Sequence, residues 1–206
     1  MKDLGEVQIL NLFPTPVYST IRASGMNSSE IERMKSIISA GTSNYDVSQN
    51  ATSNESYVLN NEKFEKLKEF CQHHVQRYVD KIICPAHEIE YYITQSWLNI
   101  HENPKQYHRQ HSHPNSFMSG VYYIKTIEND KIAFHDSNSP IKKVMKPSFN
   151  PKDANEWNSD VWHVPVFDDV LLIFPAWFEH SVPPNDKNTS ERISLAFNVF
   201  AKGTIG

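Results

Sequence analysis

Five residues in the second half of the chain have the types and spacing to do chemistry together: His111, His113, His180, Arg192 and Ser194. In an extended backbone alternate residues share a face, so His111 and His113 project to one side and both imidazoles can reach one cation. A polar loop can carry two histidines for no such reason, so a third donor is what would turn the pair into a metal site. His180 is the candidate; it follows the apolar run Val170 to Phe174, and its other reading is a solvent-facing loop histidine. Arg192 and Ser194 share a face of the last strand. A guanidinium on an inward face needs an anion, either a protein carboxylate or a bound one, because an unpaired buried charge is costly.

These residues must be positioned by elements that the hydrophobic periodicity outlines. The last strand reads most clearly, since Ile193, Leu195, Phe197 and Val199 alternate with Arg192, Ser194, Ala196 and Asn198. Further β-rich runs are Ile89 to Ile100, Phe117 to Lys125, Lys131 to Phe134, Val161 to Val164 and Val170 to Phe174, separated by turn-forming residues. Before them, a helix is expected over about Ser28 to Ala40, with Ser28 or Ser29 as N-cap, Glu32 in a capping box and Gly41 as its end. A second is expected over about Glu62 to Ile83, where Phe64, Leu67, Cys71, Val75, Tyr78 and Ile82 form one stripe and Pro85 ends it. Val7 to Leu12 reads as a short strand, Thr42 to Ser56 as a surface loop, and Ser137 to Asp160 as a loop over the mouth of the β-core. The fold class is therefore mainly β with N-terminal helices (α+β), the helices buttressing an antiparallel sandwich or barrel.

At 206 residues the chain fits one domain, with residues 1–90 as helical support and 91–206 as the β-core. Twenty Lys plus Arg against 24 Asp plus Glu give a formal charge of −4, which argues against a general nucleic-acid footprint. Cys71 and Cys84 are too few for a disulfide framework, and no apolar run approaches a membrane span. A soluble, cytoplasmic protein with reduced thiols is expected, so the four Asn-x-Ser/Thr matches, at Asn27, Asn50, Asn54 and Asn188, are read as chance.

The segments Ser96-Trp-Leu-Asn-Ile, His111-Ser-His-Pro-Asn-Ser-Phe-Met-Ser-Gly-Val-Tyr-Tyr-Ile, Phe174-Pro-Ala-Trp-Phe-Glu-His180 and Glu191-Arg-Ile-Ser-Leu-Ala-Phe-Asn-Val occur in that order. In them the chain resembles the iron(II) and 2-oxoglutarate-dependent oxygenases, and within these the branch related to prolyl hydroxylases that occurs in bacteria and marine phages. The opening Leu12-Phe-Pro-Thr-Pro-Val is similar to the start of that branch. The resemblance implies a double-stranded β-helix, a jelly-roll with the metal at its open end. It implies Fe(II) and 2-oxoglutarate as cofactors, O2 as cosubstrate, and hydroxylation of a C–H bond in a peptidyl substrate, prolyl included, or in a small molecule, with release of succinate and CO2.

Carried over by position, His111 and His180 match the family's two histidine ligands. Arg192 and Ser194 match the groups that hold the distal carboxylate of 2-oxoglutarate, and Tyr123 aligns with a tyrosine on the same carboxylate. The family's carboxylate ligand is replaced by His113, so the resemblance implies three neutral imidazoles where two histidines and one carboxylate are usual. Asp136 is the alternative third ligand, and His135 and His108 are candidates to orient ligand imidazoles. Asn99 and Asn198 could contact the keto acid or bound water, or bond to neighbouring backbone. His73 and His74 read as helix-surface residues and His163 as a structural histidine. Two other functions stay open: a non-catalytic β-helix module binding metal or carboxylate, and a three-histidine dioxygenase without 2-oxoglutarate. The N-terminal helices either support the barrel or supply a homodimer surface.

Overall fold

Burial on both faces of the last strand sets the architecture. The computed structural model describes residues 7–103, 105–136, 152–185 and 190–203. The β-strands are β1 Tyr18–Ile21, β2 Thr42–Ser43, β3 Ala51–Ser53, β4 Ile89–His101, β5 His108–His111, β6 Met118–Lys125, β7 Lys131–His135, β8 Val161–Pro165, β9 Val170–Pro175, β10 His180–Val182 and β11 Arg192–Gly203. The helices are α1 Ser28–Ala40 and α2 Glu65–Tyr78. The strands form a seven-stranded sheet, β1-β9-β6-β11-β4-β3-β2, and a four-stranded one, β5-β10-β7-β8. Every pairing between strands is antiparallel.

On one face of β11, Ile193, Leu195, Phe197 and Val199 join Met34 and Ile37 of α1 and Leu67, Cys71 and Val75 of α2 in one core. On the other face Ala196 joins Val121, Tyr123, Phe134 and Phe174 in a second core. The helices thus cover the outer face of the large sheet, while the small sheet covers its inner face. The two-layer β arrangement is that of a double-stranded β-helix, as the resemblance implies.

The helix expected at Ser28 spans Ser28–Ala40, but its cap is Asn27. Asn27 Oδ1 accepts from the Ser29 and Glu30 amides at 3.0 Å each, and Glu30 Oε2 accepts from the Asn27 amide at 2.9 Å. Glu30 is fully buried and also takes a bidentate pair from Arg22 at 2.8 and 2.9 Å. Glu32 lies outside the cap and faces Lys63 at 3.5 Å. The second helix runs on through a π-helical turn, Val79–Ile83, and stops at Cys84 in the left-handed region, just before Pro85.

Two expectations about the N-terminal half are corrected. Val7 to Leu12 is not a strand: Val7, Ile9, Leu10 and Leu12 are exposed, and the edge strand is Tyr18–Ile21, beyond Pro14 and Pro16, against β9. Among the described residues this run has no strand partner, which a local reading of its apolar residues does not reveal. Thr42 to Ser56 is not a plain loop, since β2 and β3 extend the large sheet beside β4. Two of its polar residues, Asn50 and Ser53, are buried and bonded: Ser53 Oγ accepts from the Leu98 amide at 3.0 Å and donates to the Glu55 carbonyl at 2.8 Å, and Asn50 Nδ2 donates to Asn99 Oδ1 at 3.0 Å. Of the expected loop from Ser137 to Asp160, residues 137–151 lie outside the described residues.

Gly120 of β6 sits opposite Phe197 of β11, and a Cβ there would lie 2.0 Å from the Phe197 ring. Since Phe197 is fully buried, the ring cannot swing into solvent. Gly120→Ala is expected to lose about 1–3 kcal/mol of stability, the usual cost of overpacking, measurable as a lower urea midpoint with unchanged m-value.

Candidate active site

Three imidazoles meet where β5 and β10 pair. His111 ends β5 directly opposite His180, which begins β10. Beyond β5 the His113 amide donates to the Ala176 carbonyl at 2.9 Å, which turns this residue back toward the other two. One ligand atom from each of His111, His113 and His180 lies within 4.8 Å of the others. The Nε2 atoms of His111 and His113 are 3.2 Å apart; adjacent imidazole ligands of one ion, with metal–nitrogen bonds of about 2.1 Å, stand about 3 Å apart.

The other ring nitrogens fix the tautomers. His111 Nδ1 lies 2.7 Å from the Arg109 carbonyl, His180 Nδ1 3.0 Å from the Phe178 carbonyl, and His113 Nδ1 2.7 Å from Asn198 Oδ1. Each acceptor is an oxygen, so each Nδ1 carries the proton and donates it. Each Nε2 is then left with a lone pair for the centre. Asn198 thus acts on a ligand imidazole through its side chain. Asn99 Oδ1 accepts from Asn50 Nδ2 at 3.0 Å, and its expected backbone bond is replaced by this amide pair.

Asp136 is not brought to the centre. It follows β7, lines a separate cavity with Trp157 and Trp162, and donates its amide to the Asp160 carbonyl. His135 reaches the hydroxyl of Ser181, at 2.8 Å, and not a ligand ring. His108 stacks on His111 with ring centroids 4.2 Å apart. Two background expectations are corrected: His74 bonds the Tyr18 hydroxyl at 2.7 Å and packs on Phe70, tying α2 to the edge strand, and His163 is exposed. His73 is exposed as expected.

Burial and neighbouring imidazoles hold the three candidate ligand rings neutral. Desolvation, aided by His111, lowers His113 to about 4, against its bond to Asn198, and lowers His180 to about 3. Burial also lowers His111. An unfolded chain protonates its histidines from about pH 6.5 downward, whereas the folded sites refuse protons until about pH 4 and 3. The unfolded state therefore binds more protons in this window, so stability is complete above about pH 6.5 and lost as pH falls. Thermal melts of the metal-free protein at pH 7, 5.5 and 4 are expected to show a steadily falling midpoint.

The second half of the site lies at the start of β11. Arg192 is 2% exposed, and its Nε donates to Asp130 Oδ2 at 2.8 Å, with the Asp130 side chain 3% exposed. The sequence left open whether this arginine meets a protein carboxylate or a bound one, and Asp130 takes the Nε edge. Among the described residues, Arg192 Nη2 is left without a hydrogen-bond partner. So are two other buried polar atoms, Tyr123 Oη and His101 Nε2. The Arg192 guanidinium lies 5.2 Å from the centre of the Tyr123 ring, and His101 is the residue directly opposite Arg192 in the sheet. Ser194 is buried between Tyr123 and Asn99 across its two neighbouring strands. Buried polar groups in folded proteins are nearly always paired, so an unpartnered guanidinium nitrogen with two unpartnered neighbours marks the place of a polar ligand.

Sequence reasoning missed His101, Asp130 and Trp97. Trp97 stacks on His113 with centroids 5.6 Å apart and rings inclined by 23°. The alternation that put Arg192 and Asn99 on the inner face also places His101 there, two residues beyond Asn99. Nothing local marks Asp130, which lies in a turn before β7.

The donor set fits a divalent first-row metal, being three neutral nitrogens with fixed orientation. The orphaned donors fit a carboxylate. Among solved structures, the chain is similar to a Pseudomonas putida prolyl-4-hydroxylase (9% identity, 92% of this chain and 94% of that one, TM-score 0.56). It is also similar to a Trichoplax adhaerens prolyl hydroxylase in complex with a hypoxia inducible factor peptide fragment (12%, 89% and 83%, 0.55). A third is HygX from Streptomyces hygroscopicus with nickel, 2-oxoglutarate and hygromycin B bound (12%, 90% and 82%, 0.57). At these identities the likeness speaks for the fold. No curated protein matches the chain. The family described as "Putative 2OG-Fe(II) oxygenase" matches residues 95–198, from β4 to the end of the inward face of β11. With half the chain matched and both candidate clusters inside the match, this protein belongs to the 2OG-Fe(II) oxygenases, dioxygenases that work with Fe(II) and 2-oxoglutarate.

Proposed function

We propose that this chain hydroxylates a C–H bond of a peptidyl or small-molecule substrate, with His111, His113 and His180 as its iron ligands and Arg192, Ser194, Tyr123 and His101 as its keto-acid site. The observation that carries this reading is the tautomer lock: all three Nδ1 protons are given to fixed oxygens, so all three Nε2 lone pairs converge. A non-catalytic surface cluster has no need of three neutral, pre-oriented imidazoles, one of them buried. The orphaned Arg192, Tyr123 and His101 atoms weigh against a dioxygenase without keto acid, since they would then stay unpaired.

When bound, Fe(II) lets O2 oxidise 2-oxoglutarate to succinate and CO2, with one oxygen atom entering succinate and the other the substrate C–H bond. The chain's own part is positioning. Asn198 holds His113, the Phe178 and Arg109 carbonyls hold His180 and His111, and Asp130 holds the Nε edge of Arg192 so that Nη2 stays aimed at the ligand. Three neutral ligands leave the centre one unit more positive than a set with one carboxylate, which favours a dianionic keto acid.

Anaerobic titration of the Fe(II) protein with 2-oxoglutarate tests this. A saturable visible charge-transfer band is expected; bound iron with no band would remove 2-oxoglutarate from the site.

A further inference from the structure

His111 and His113 form one wall of a cavity of about 660 Å³ on the inner face of the large sheet, beside β3, β4 and β11. Its lining contains no Asp, Glu, Lys or Arg. The cavity at Arg192 contains both signs of charge, and the one beside Phe178 carries Asp136, Glu156 and Asp160. The space in contact with two candidate ligands is therefore the uncharged one.

What lines it is ring surface and neutral hydrogen-bonding groups. Trp97, Tyr57 and Tyr92 supply the rings, while Gln95, Asn99 and Asn198 supply amides. The acceptor oxygens of both asparagines are already engaged, Asn99 by Asn50 and Asn198 by His113. That fixes which end of each amide is occupied and leaves both Nδ2 groups as donors toward the cavity.

This lining discriminates between ligand classes. A carboxylate, phosphate or ammonium finds no side chain of opposite charge in this lining, and with 2-oxoglutarate bound the dianion offsets the charge of the metal. A purely apolar molecule would leave the amides and phenols unpaired. A sugar ring suits both features: its C–H faces pack on aromatic rings, and its hydroxyls both donate and accept.

We infer that this cavity is the substrate site and that its substrate is an uncharged, hydroxyl-rich ring, a sugar residue. The inference rests on the three histidines being the metal centre. A peptidyl proline would also stack on Trp97, but without hydroxyls it would use little of the hydrogen-bonding wall.

The test is proton NMR of two probes, cellobiose and an acetylated, amidated Gly-Pro-Gly peptide. Each is added to the full chain loaded with Co(II) and 2-oxoglutarate, with the Zn(II) protein as the diamagnetic control. Paramagnetic relaxation of cellobiose protons that exceeds that of the peptide is expected. In Trp97→Ala and Tyr57→Ala the saccharide's apparent affinity is expected to fall about fivefold to tenfold, the equivalent of about 1–1.4 kcal/mol for one lost ring contact. Trp97 touches His113, so Tyr57, which is half exposed and outside the histidine cluster, is the variant that leaves the metal centre intact. Relaxation of the peptide alone, or saccharide relaxation unchanged in Tyr57→Ala, overturns the substrate class. Failure of metal analysis to find Co(II) on the protein overturns the metal-centre reading itself.

Discussion

Replacing His180 by alanine is expected to strip the metal from the protein while leaving the fold in place. The side chain is 4% exposed and sits where β10 meets both β5 and β7, so its Nε2 is the donor contributed by the strand beside β5. Two imidazoles from one short segment, His111 and His113, then remain, and the donor from the neighbouring strand is gone. The loss should exceed the 10- to 100-fold in metal affinity that removal of an outer hydrogen-bond partner costs. Asn198→Ala supplies that milder case, because it removes only the acceptor for His113 Nδ1. Metal content after desalting, with far-UV circular dichroism as the check on folding, separates the two. A His180→Ala protein that kept its full metal content would remove this residue from the centre.

Arg192→Ala is expected to do two things at once, and the structure explains why they must be separated. The Arg192–Asp130 pair is almost completely buried, so deleting the guanidinium leaves Asp130 as an unpaired internal carboxylate, at a cost of about 3–5 kcal/mol. Burial already pushes the Asp130 carboxyl up, against the opposing pull of Arg192. The same substitution removes the unpartnered Nη2 donor, and with it a charged hydrogen bond to 2-oxoglutarate worth about 1.5–3 kcal/mol, or roughly tenfold to a hundredfold in affinity. The double variant Asp130→Asn with Arg192→Met distinguishes them. It should recover most of the lost stability in urea denaturation, since no charge is left unpaired, yet still bind 2-oxoglutarate as weakly as Arg192→Ala by calorimetry. Recovery of both properties together would mean that Arg192 serves only the fold.

The large elements were legible because their signals are local. Alternation along residues 192–200 and the three- and four-residue steps from Phe64 to Ile82 are properties of consecutive side chains, and they correspond to β11 and α2 with its π-helical continuation. The same alternation placed Arg192, Ser194 and Asn198 on one face before any partner strand was known. The short strands β5 and β10 were not legible, since His108-Arg-Gln-His and His180-Ser-Val have neither length nor apolar pattern, although they carry two of the three histidines proposed as metal ligands. Such strands exist because their neighbours pair with them.

By itself the sequence determined which residue types are available for chemistry: three histidines, an arginine and a serine on a strand face, and no family carboxylate at position 113. Only the tertiary structure decided which of them meet. It set His180 opposite His111, drew His113 rather than Asp136 to the centre, gave Asn198 to His113, and placed Asp130 and His101 beside Arg192. The physical reason is that register and strand pairing join residues tens of positions apart. No local periodicity encodes those distances, and the burial that neutralises the imidazoles and isolates Arg192 Nη2 exists only once both sheets have closed on each other.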